Sequence, residues 1–339
     1  MKYPQLLKKG DTIGICAPST GAPGEVLSTR LDNAISNIKA LGYNVIETAS
    51  ARSAIKCVSA DSATRASEFM SLYENPDVAV IMPPWGGEFL MDMLPFLDFE
   101  RIAYLPVKWV CGYSDVSTFT FTLTIKSDIA TVHGSNLLNM GYARIHEADL
   151  RAFYVMSNLE TEQKSWDKWS GYTSWDDFTQ EIYRLNNPSS WKSLQDNTNV
   201  SFRGRMIGGC MDTLCKLLGT RFASVDAFLL KYKNDGIIWT LESCEMAAPD
   251  IYRTFWQMRE VGWFKYCKGI IIGRPDGYND KRDFTLLDAL NQGLGSLDVP
   301  VIYDADIGHV PPLMQVINGS IGNVEFADGK ATVWQSCIK

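Results

Sequence analysis

The chain has 339 residues, enough for about two domains, and its 46% hydrophobic and 21% charged residues are typical of a globular protein. Its 32 Lys and Arg against 39 Asp and Glu give a formal net charge of −7, which argues against nucleic acid or an anionic membrane as the main partner. Because no apolar run is long enough to span a bilayer and the first residues do not resemble a secretory signal, we expect a cytoplasmic protein with no membrane partner.

Over the first 140 residues, short apolar runs alternate with longer amphipathic stretches. The pattern predicts strands at 12–17, 43–47, 78–82, 107–111 and 129–133. Between them it predicts helices at 25–41, 62–73, 87–97 and 115–126. This alternation indicates an α/β fold whose N-terminal part is a doubly wound, mostly parallel sheet of the flavodoxin or Rossmann type. Ligands of such sheets bind at the carboxyl ends of the strands.

The rest of the chain is predicted to form a loop region and a second domain. Residues 141–200 are polar and rich in Trp, which indicates an ordered loop region because Trp is costly to leave in water. Residues 201–339 predict a β-rich α+β domain. Its predicted elements are strands at 236–241, 269–273 and 299–303, a helix at 252–261, and a hairpin of 321–326 with 331–335. We therefore divide the chain into 1–140, 141–200 and 201–339.

The strongest local motif is Gly112-Tyr113-Ser114-Asp115, which joins a predicted strand to a predicted helix. A serine at such a sharp turn exposes its hydroxyl beside the free N–H groups of a helix N-terminus, as a nucleophile requires. The usual nucleophile elbow has glycine two residues before and two after the serine, but Val116 stands at the second place. A helix-capping role for Ser114 or Asp115 is therefore an open alternative.

A second predicted strand end carries Pro84-Trp85-Gly86-Gly87. Paired glycines let the backbone approach a ligand closely, so Gly86 or Gly87 could offer an N–H to an oxyanion, although an ordinary turn explains them equally well. The chain contains neither the G-x-x-x-x-G-K-[ST] phosphate loop nor the G-x-G-x-x-G dinucleotide motif. No nucleotide cofactor is therefore expected.

Carboxylates and an imidazole stand at strand ends of the second predicted domain. Glu242 and Glu245 follow the strand at 236–241, where either could orient a histidine or be a solvated loop charge. His309 follows the strand at 299–303, between a glycine and a proline pair. This stiff position makes His309 a candidate general base, although a lone histidine is more often structural.

The other histidines and the eight cysteines give weaker signals. His133 has a comparable strand-end position, whereas His146 resembles a surface helix residue. The His and Cys residues show no spacing typical of a metal site, so no protein-bound catalytic metal is expected. There is no Cys-x-x-Cys pair, and a chain of this size needs no disulfides.

Together, a serine, a carboxylate, a histidine and a glycine loop at strand ends are what acyl transfer requires. The order is Ser-Glu-His, with the nucleophile in the first domain and the other two groups in the second. We therefore expect the site in the cleft between the domains. Two other interpretations are a cysteine-dependent hydrolase that uses Cys111 and a non-catalytic two-domain binding protein.

These motifs resemble the LD-carboxypeptidase family of serine peptidases, which includes the microcin C self-immunity proteins. The resemblance covers nearly the whole chain. Its motifs are residues 11–19 (DTIGICAPS), Trp85-Gly86-Gly87, Gly112-Tyr113-Ser114-Asp115, His133-Gly134, Gly208-Gly209, Leu218-Gly219-Thr220, Leu241-Glu242, Gly308-His309 and residues 312–318. It implies a Ser-Glu-His triad without cofactor or metal, an N-terminal α/β domain, a β-rich C-terminal domain and a homodimer.

The resemblance also implies residue roles. Ser114 corresponds to the nucleophile, Glu242 to the carboxylate that orients the base, and His309 to the base. The backbone N–H of Asp115 and one from the Gly86-Gly87 pair would hold the oxyanion. Such an enzyme hydrolyses an amide bond through an acyl-enzyme.

The Trp-rich region resembles the microcin-immunity branch, which cleaves the amide between an aminoacyl group and a modified nucleotide. The alternative is the branch that releases D-alanine from murein tetrapeptides in cell-wall recycling. In the first branch a loop Trp stacks on the base. Trp175 is the first candidate for this role and Trp191 the second, with loop packing as the alternative for either.

Further substrate contacts are expected from Glu245, which would cap or line the pocket. Cys210 stands where the family often has Asn after the paired glycines, and a thiol cannot offer an amide to a phosphate or carboxylate. Residues 221–235 also look longer than the family's usual connection, which suggests an insertion or a changed dimer contact.

Overall fold

Two large β-sheets share one buried helix in the computed structural model, which describes residues 1–171 and 181–338 and also contains a two-stranded sheet. The strands are β1 (Thr12–Ile15), β2 (Asn44–Glu47), β3 (Val78–Ile81), β4 (Trp109–Gly112), β5 (Thr131–His133), β6 (Glu160–Lys164), β7 (Lys168–Trp169), β8 (Asn187–Pro188), β9 (Lys192–Ser193), β10 (Asn199–Cys210), β11 (Ile237–Glu242), β12 (Cys267–Gly273), β13 (Val301–Ala305), β14 (Val316–Asn318), β15 (Ile321–Ala327) and β16 (Lys330–Ser336). The helices are α1 (Gly24–Ala40), α2 (Ser62–Glu74), α3 (Phe99–Tyr104), α4 (Val116–Ser127), α5 (Glu147–Ser157), α6 (Met211–Leu217), α7 (Asp226–Lys231), α8 (Ala248–Glu260) and α9 (Leu286–Leu294), with 3-10 helices at Leu90–Phe96 and Leu137–Met140.

The first sheet has the strand order β14-β5-β4-β3-β1-β2, and its strands β1 to β5 are parallel. The predicted doubly wound, mostly parallel sheet is confirmed. Strand β14, from near the end of the chain, adds an antiparallel edge beside β5 that was not predicted. Because β3 and β4 are adjacent and parallel, the segments that follow them meet at one edge of the sheet. Those segments carry Gly86 and Ser114.

The second sheet has the order β6-β16-β15-β10-β11-β12-β13-β9, with a parallel centre from β10 to β13. The predicted strands at 236–241, 269–273 and 299–303 and the predicted hairpin are confirmed as β11, β12, β13 and the β15–β16 pair. Strand β10 was not predicted. It ends at Cys210, directly opposite Glu242 at the end of β11.

Helix α4 lies in the core between the sheets, where every residue except Lys126 is buried. It contacts β4 and β5 of the first sheet and β10 of the second. Its β-branched threonines have a weak helix propensity, so tertiary burial maintains this helix. Phe121 stacks on Trp263 with ring centroids 5.0 Å apart, and Trp263 stacks on Trp239 of β11 at 5.1 Å. The aromatic stack therefore holds α4 against the second sheet.

Several predicted helices need correction. An α-helix over 87–97 is wrong, because Leu90–Phe96 is a 3-10 helix that contains Pro95, which has no N–H to donate. Asp98 then caps α3 by accepting a 2.9 Å hydrogen bond from the N–H of Arg101. Helices α5, α6, α7 and α9, of six to eleven residues, were not predicted. Within 1–171 and 181–338, none of the helices combines the length and the apolar character that crossing a bilayer requires.

Candidate active site

Ser114 occupies a strained turn between β4 and α4. Its φ angle is 62°, in the left-handed region that residues other than glycine rarely adopt. The residue is half-buried and lines a cavity, as predicted for a serine at a strand-to-helix turn. Helix α4 begins at Val116. The N–H groups of Ser117 and Thr118 already bond the carbonyls of the preceding turn, so the backbone donors left beside Ser114 are those of Asp115 and Val116. This is the geometry of an exposed hydroxyl next to free backbone donors.

The loop after β3 passes close to Ser114. A Cβ atom added to Gly86 would lie 2.7 Å from the Ser114 Cβ and 3.0 Å from the backbone nitrogen of Asp115, so only glycine fits here. Gly87 has a φ of 140° and lines the same cavity. The glycine pair and the N-terminus of α4 therefore lie side by side, where their N–H groups could bind one oxygen anion.

The side chain of Asp115 fixes this turn. Its buried carboxylate accepts hydrogen bonds from the Ser19 hydroxyl at 2.6 Å, the Leu90 N–H at 2.8 Å and the Thr118 hydroxyl at 3.2 Å. Burial raises the pKa of the Asp115 carboxyl, although these donors act in the opposite direction. The side chain thus ties three segments together, which differs from the capping role considered for it, and leaves the backbone N–H of Asp115 beside Ser114.

A carboxylate and an imidazole pair on the other side of the cavity. Glu242, fully buried at the end of β11, lies with its Oε2 2.9 Å from the Nδ1 of His309. Gly308 makes this approach possible, since it has a φ of 99° and an added Cβ would lie 2.5 Å from the Glu242 Oε2. Within the part of the chain that the structure describes, the other imidazole nitrogen, Nε2, has no hydrogen-bond partner. An imidazole held in this way can accept a proton at Nε2.

The two groups shift each other's protonation. Burial alone would raise the pKa of Glu242, but the charge and hydrogen bond of His309 hold it below its usual value. Burial alone would lower the pKa of His309. The negative charge of Glu242, together with the neighbouring Cys244 thiol, instead raises the pKa of His309 well above its ordinary value. The pair therefore favours a charged imidazolium, the state that a base adopts after taking a proton.

His133 lies behind this pair. Its Nε2 is 3.7 Å from the Glu242 Oε1, and its Nδ1 is 3.2 Å from the Ser117 hydroxyl. Burial lowers the pKa of His133 to about 4, against the opposing charge of Glu242, so the ring is neutral near pH 7. His133 is fully buried and does not line the cavity, which distinguishes it from His309.

Two adjoining cavities meet at Ser114. One, of about 650 Å³, is also lined by His309, Trp85 and the glycine pair. The other, of about 840 Å³, is lined by Asp115 and Cys210 instead of His309. Ser114, Cys244 and Glu245 line both cavities. The hydroxyl therefore stands between two compartments, as a nucleophile that divides a substrate into two products would.

The residues predicted to contact the substrate differ in their exposure and in whether they line a cavity. Glu245 lies exposed at the junction of the cavities, and Cys210 is buried in the wall of the larger one. Trp191 is 1% exposed and donates from its indole N–H to the Asp306 carboxylate at 2.9 Å. Its ring is part of the core and lines neither cavity, so the packing alternative describes Trp191. Trp175 lies outside the described residues.

The structure also shows the environments of Cys111 and His146, and of one site residue that the sequence analysis missed. Cys111 is fully buried in β4, which raises the pKa of its thiol far above the ordinary value and leaves it a poor nucleophile. His146 caps α5 and is buried, unlike the surface residue expected. Sequence reasoning missed Tyr113, whose ring contacts the edge of His309 with centroids 4.8 Å apart. Its position one residue before Ser114 was the available signal.

Comparison with known proteins identifies the protein family. The LD-carboxypeptidase N-terminal domain of peptidase family S66 matches residues 13–134, and the corresponding C-terminal domain matches residues 203–324. The fold and these matches define a hydrolase of the serine peptidase type. The chain belongs to the LD-carboxypeptidase family, as its motifs predicted.

Relatives with similar sequences extend over nearly the whole chain. A Vibrio cholerae protein that carries a carboxypeptidase name is 26% identical over 96% of each chain. The microcin C7 self-immunity protein MccF of Escherichia coli is 24% identical, over 98% of this chain and 95% of that protein.

Solved structures confirm the fold. MccF in complex with glutamyl sulfamoyl guanosine is 21% identical, covers 99% of both chains and superposes with a TM-score of 0.83. A muramoyltetrapeptide carboxypeptidase from Oxalobacter formigenes is 21% identical, with 96% and 98% coverage and a TM-score of 0.75.

Proposed function

We propose that the protein hydrolyses an amide bond with Ser114 as nucleophile, His309 as general base and Glu242 as the carboxylate that orients the base. One observation carries this proposal. His309 is bonded through Nδ1 to a fully buried carboxylate, has Nε2 free, and shares a cavity with a serine held at a strained strand-to-helix turn. These are the groups and roles of a serine hydrolase.

The chemistry follows from these roles. His309 takes the proton of the Ser114 hydroxyl as the oxygen attacks the amide carbonyl, and Glu242 stabilises the resulting imidazolium. The imidazolium then gives its proton to the leaving nitrogen, which departs as an amine. Water, activated by the same imidazole, hydrolyses the acyl-enzyme. The Ser114 and His309 side chains, both among the described residues, make no hydrogen bond to each other, and such bonds often form only when substrate is bound.

The oxyanion would be held by the N–H of Asp115 and by one N–H of the Gly86-Gly87 pair. The close approach of Gly86 to Ser114 supports this assignment, because a donor there needs a backbone without a Cβ. Each such donor is typically worth about 3–4 kcal/mol of activation free energy.

The charges around the smaller cavity favour a substrate class. The imidazole must reach the leaving nitrogen, so the leaving group belongs in the 650 Å³ cavity that His309 lines. The described lining of that cavity includes Glu88, Glu245 and Asp276 but no Lys or Arg. Residues 172–180, outside the described part, contain no Lys or Arg in sequence either. A leaving D-alanine would place its carboxylate among these acidic groups, whereas the ribose and base of a leaving nucleotide are uncharged and can lie against them with the phosphate directed elsewhere.

We therefore propose cleavage of an aminoacyl-nucleotide, in the manner of microcin immunity. The similarity to MccF, a protein whose solved complexes contain glutamyl sulfamoyl guanosine and aspartyl sulfamoyl adenosine, supports this choice. We assign base stacking to Trp175, which follows the cavity residue Gly171 closely in the chain. Release of D-alanine from a murein tetrapeptide is the alternative within the same family.

Substituting Ser114→Ala tests the mechanism. We expect at least a 10³-fold loss of hydrolysis of an aminoacyl sulfamoyl adenosine, measured by product formation, with unchanged binding measured by calorimetry. Ser170→Ala, which removes a hydroxyl without a proposed role from the lining of the same cavity, is the control. Unchanged turnover in Ser114→Ala would reject the mechanism, and binding without product in the unmodified protein would favour a non-catalytic binding protein. Cleavage of a murein tetrapeptide alone would overturn the choice of substrate.

We also propose a homodimer in the cytoplasm. The family resemblance supports the dimer. All eight cysteines lie in described segments and are free thiols, which fits a reducing compartment. Light scattering of the purified chain checks the assembly, since a mass near 37.9 kDa at micromolar concentration would contradict a dimer.

A further inference from the structure

Three side chains at the proposed active centre form a cluster that their sequence spacing did not reveal. The Cys210 thiol, a Glu242 carboxylate oxygen and an imidazole nitrogen of His309 all lie within 4.8 Å of one another. Cys210 and Glu242 end the adjacent strands β10 and β11, and His309 reaches them from the segment after β13. Sequence spacing could not show this group, because the fold assembles it from three distant segments.

The donor set is that of a zinc site. Thiolate sulfur and imidazole nitrogen prefer Zn²⁺ over Mg²⁺ or Ca²⁺, and a carboxylate completes such sites. In a tetrahedral site with bonds of about 2.0–2.3 Å, neighbouring donor atoms lie roughly 3.3–3.8 Å apart. The most widely separated donor atoms would therefore close by at most roughly 1.5 Å, whereas the His309 Nδ1 and Glu242 Oε2, now 2.9 Å apart, would move slightly away from each other.

Two further observations point to a ligand here. The Glu242 Oε1 is buried and makes no hydrogen bond among the described residues, since the His133 Nε2 that faces it is 3.7 Å away, beyond hydrogen-bond distance. The half-buried Cys244 lines the cavity beside His309, and it can offer a fourth donor. A substrate-sized cavity also gives an ion access to the cluster.

The geometry points to reversible inhibition by Zn²⁺, or a similarly thiophilic divalent ion, bound by Cys210, Glu242 and His309. On binding, the Cys210 thiol gives up the 3.6 Å hydrogen bond that it donates to the Asp212 carboxylate, releases its proton to solvent and forms a metal–sulfur bond. The imidazolium of His309 also releases one proton to solvent, and its hydrogen bond to Glu242 breaks as both groups bind the metal. The imidazole and carboxylate are then no longer available to Ser114, so hydrolysis stops. The inhibition rests on the proposed function, whereas the binding site does not.

Co²⁺ is the direct probe, because a thiolate–Co²⁺ bond absorbs in the near ultraviolet whether or not the protein is active. We expect the chelator-treated full chain to bind one equivalent with this absorption. Cys210→Ser should weaken binding at least tenfold and remove the absorption. Cys267→Ser is the matched control, since Cys267 begins β12 at the end of the sheet opposite Glu242 and should change nothing.

A second set of measurements uses Zn²⁺ and hydrolysis. Zn²⁺ should inhibit the unmodified protein and Cys267→Ser equally, with full recovery in EDTA, and should require at least tenfold higher concentration in Cys210→Ser. Cys210→Ala replaces the serine variant if that variant does not unfold cooperatively. No thiolate absorption in the unmodified protein overturns the proposal without any variant, as does a loss of absorption confined to Cys244→Ser. An inactive protein that still shows the Co²⁺ absorption would contradict the proposed function alone.

Discussion

At the scale of single residues, the Glu242–His309 pair makes the pH dependence of hydrolysis predictable. The free base must be neutral, and the buried carboxylate raises the pKa of His309 well above its ordinary value. Activity should therefore rise with pH as His309 loses its proton. In Glu242→Gln the raising charge is lost while burial still lowers the pKa of His309, so the acid limb of kcat/KM should move to lower pH. The maximum should fall about 10⁴-fold.

The control for this pH profile is Glu245→Gln. It makes the same isosteric change to an exposed carboxylate that lines both cavities. Among the described hydrogen bonds, none joins Glu245 to the His309 ring. Its acid limb should coincide with that of the unmodified protein. An unmoved limb in Glu242→Gln, or a shift of equal size in Glu245→Gln, would remove Glu242 from its proposed role.

Gly308 gives a second residue-scale prediction that separates backbone strain from catalysis. In Gly308→Ala the new Cβ would lie 2.5 Å from the Glu242 Oε2, and the φ of 99° would be strained as well. We expect a loss of about 1 kcal/mol or more in unfolding free energy and about a 100-fold loss in kcat/KM, because the orienting carboxylate is displaced. Denaturant titration and steady-state kinetics measure the two effects.

Gly219 is the matched control, since its φ is 81° and an added Cβ would meet nothing within 4 Å. Gly219→Ala should therefore lose only the part of the stability that comes from backbone strain, about 1 kcal/mol, and retain its turnover. Equal losses of activity in the two variants would show that general destabilisation, rather than the contact with Glu242, explains the effect of Gly308→Ala.

At the scale of elements, helix α4 transmits packing from the second sheet to the turn at Ser114. Phe121 stacks on Trp263, which in turn stacks on Trp239 of β11, the strand that ends at Glu242. Phe121→Ala should reduce the unfolding free energy by about 3–5 kcal/mol because a fully buried ring is lost. Chemical denaturation followed by tryptophan fluorescence measures this change.

Phe96→Ala is the control, because the Phe96 ring is 58% exposed in its 3-10 helix and should change stability by less than about 0.5 kcal/mol. A change below about 1 kcal/mol in Phe121→Ala would mean that the core refills the space and that the aromatic stack does not hold α4 in place.

The elements that sequence patterns predicted are the long or strongly periodic ones. Helices α1, α2 and α4 and strands β11 to β13 lie close to their predicted ranges, because apolar periodicity reports burial directly. Strand β14 has three residues, too few for a period, and its partner β5 lies far away in the chain. Pro95 stands where a periodic apolar pattern continues, so the pattern predicted an α-helix that the proline excludes.

The candidate site, like the fold, could be predicted only in part from the sequence. Glu242 stands at the end of β11 and His309 just after the end of β13, and parallel strands of one sheet bring their carboxyl ends to one edge, so the proximity of these two residues could be expected. Ser114 follows β4 of the other sheet, so its approach to them depends on how the two sheets pack. The distances between these side chains could not be predicted from the sequence. The burial of Trp191 could not be predicted either, because its hydrogen-bond partner Asp306 is 115 residues away in the chain. The Cys210 cluster was missed for the same reason: adjacency in a sheet is not visible as spacing in a sequence.

At the scale of the whole molecule, a buried polar network joins α5 to the two strands at the edge of the first sheet. The Asp149 carboxylate accepts a 2.6 Å hydrogen bond from the Ser135 hydroxyl, which follows β5. The Gln315 side chain, just before β14, donates to the same hydroxyl at 2.9 Å and to the Ala148 carbonyl at 2.9 Å. The pairing of β14 with β5 is therefore supported by hydrogen bonds from Gln315, just before β14, to groups that follow β5 and belong to α5.

Asp149 makes the stability of this network depend on pH. Burial raises the pKa of its carboxyl to about 7, against the opposing effect of the Ser135 hydrogen bond, whereas in the unfolded chain the value is near 3.8. Between about pH 4 and pH 7 the unfolded state loses the proton and the folded state keeps it. The unfolding free energy should therefore fall with rising pH over this window, by at most roughly 1.4 kcal/mol per pH unit from this group.

Asp149→Asn tests this linkage, because an amide keeps the shape of the side chain and does not titrate. The variant should gain stability relative to the unmodified protein as pH rises from about 4 to 7, with a constant difference above that range, as measured by urea denaturation at several pH values. Asp298→Asn, at an exposed carboxylate, should leave the pH dependence of the unmodified protein in place. A difference between Asp149→Asn and the unmodified protein that does not change with pH would mean that the buried carboxyl is already ionised in the folded state at acid pH. The network would then be held by charge rather than by a shared proton.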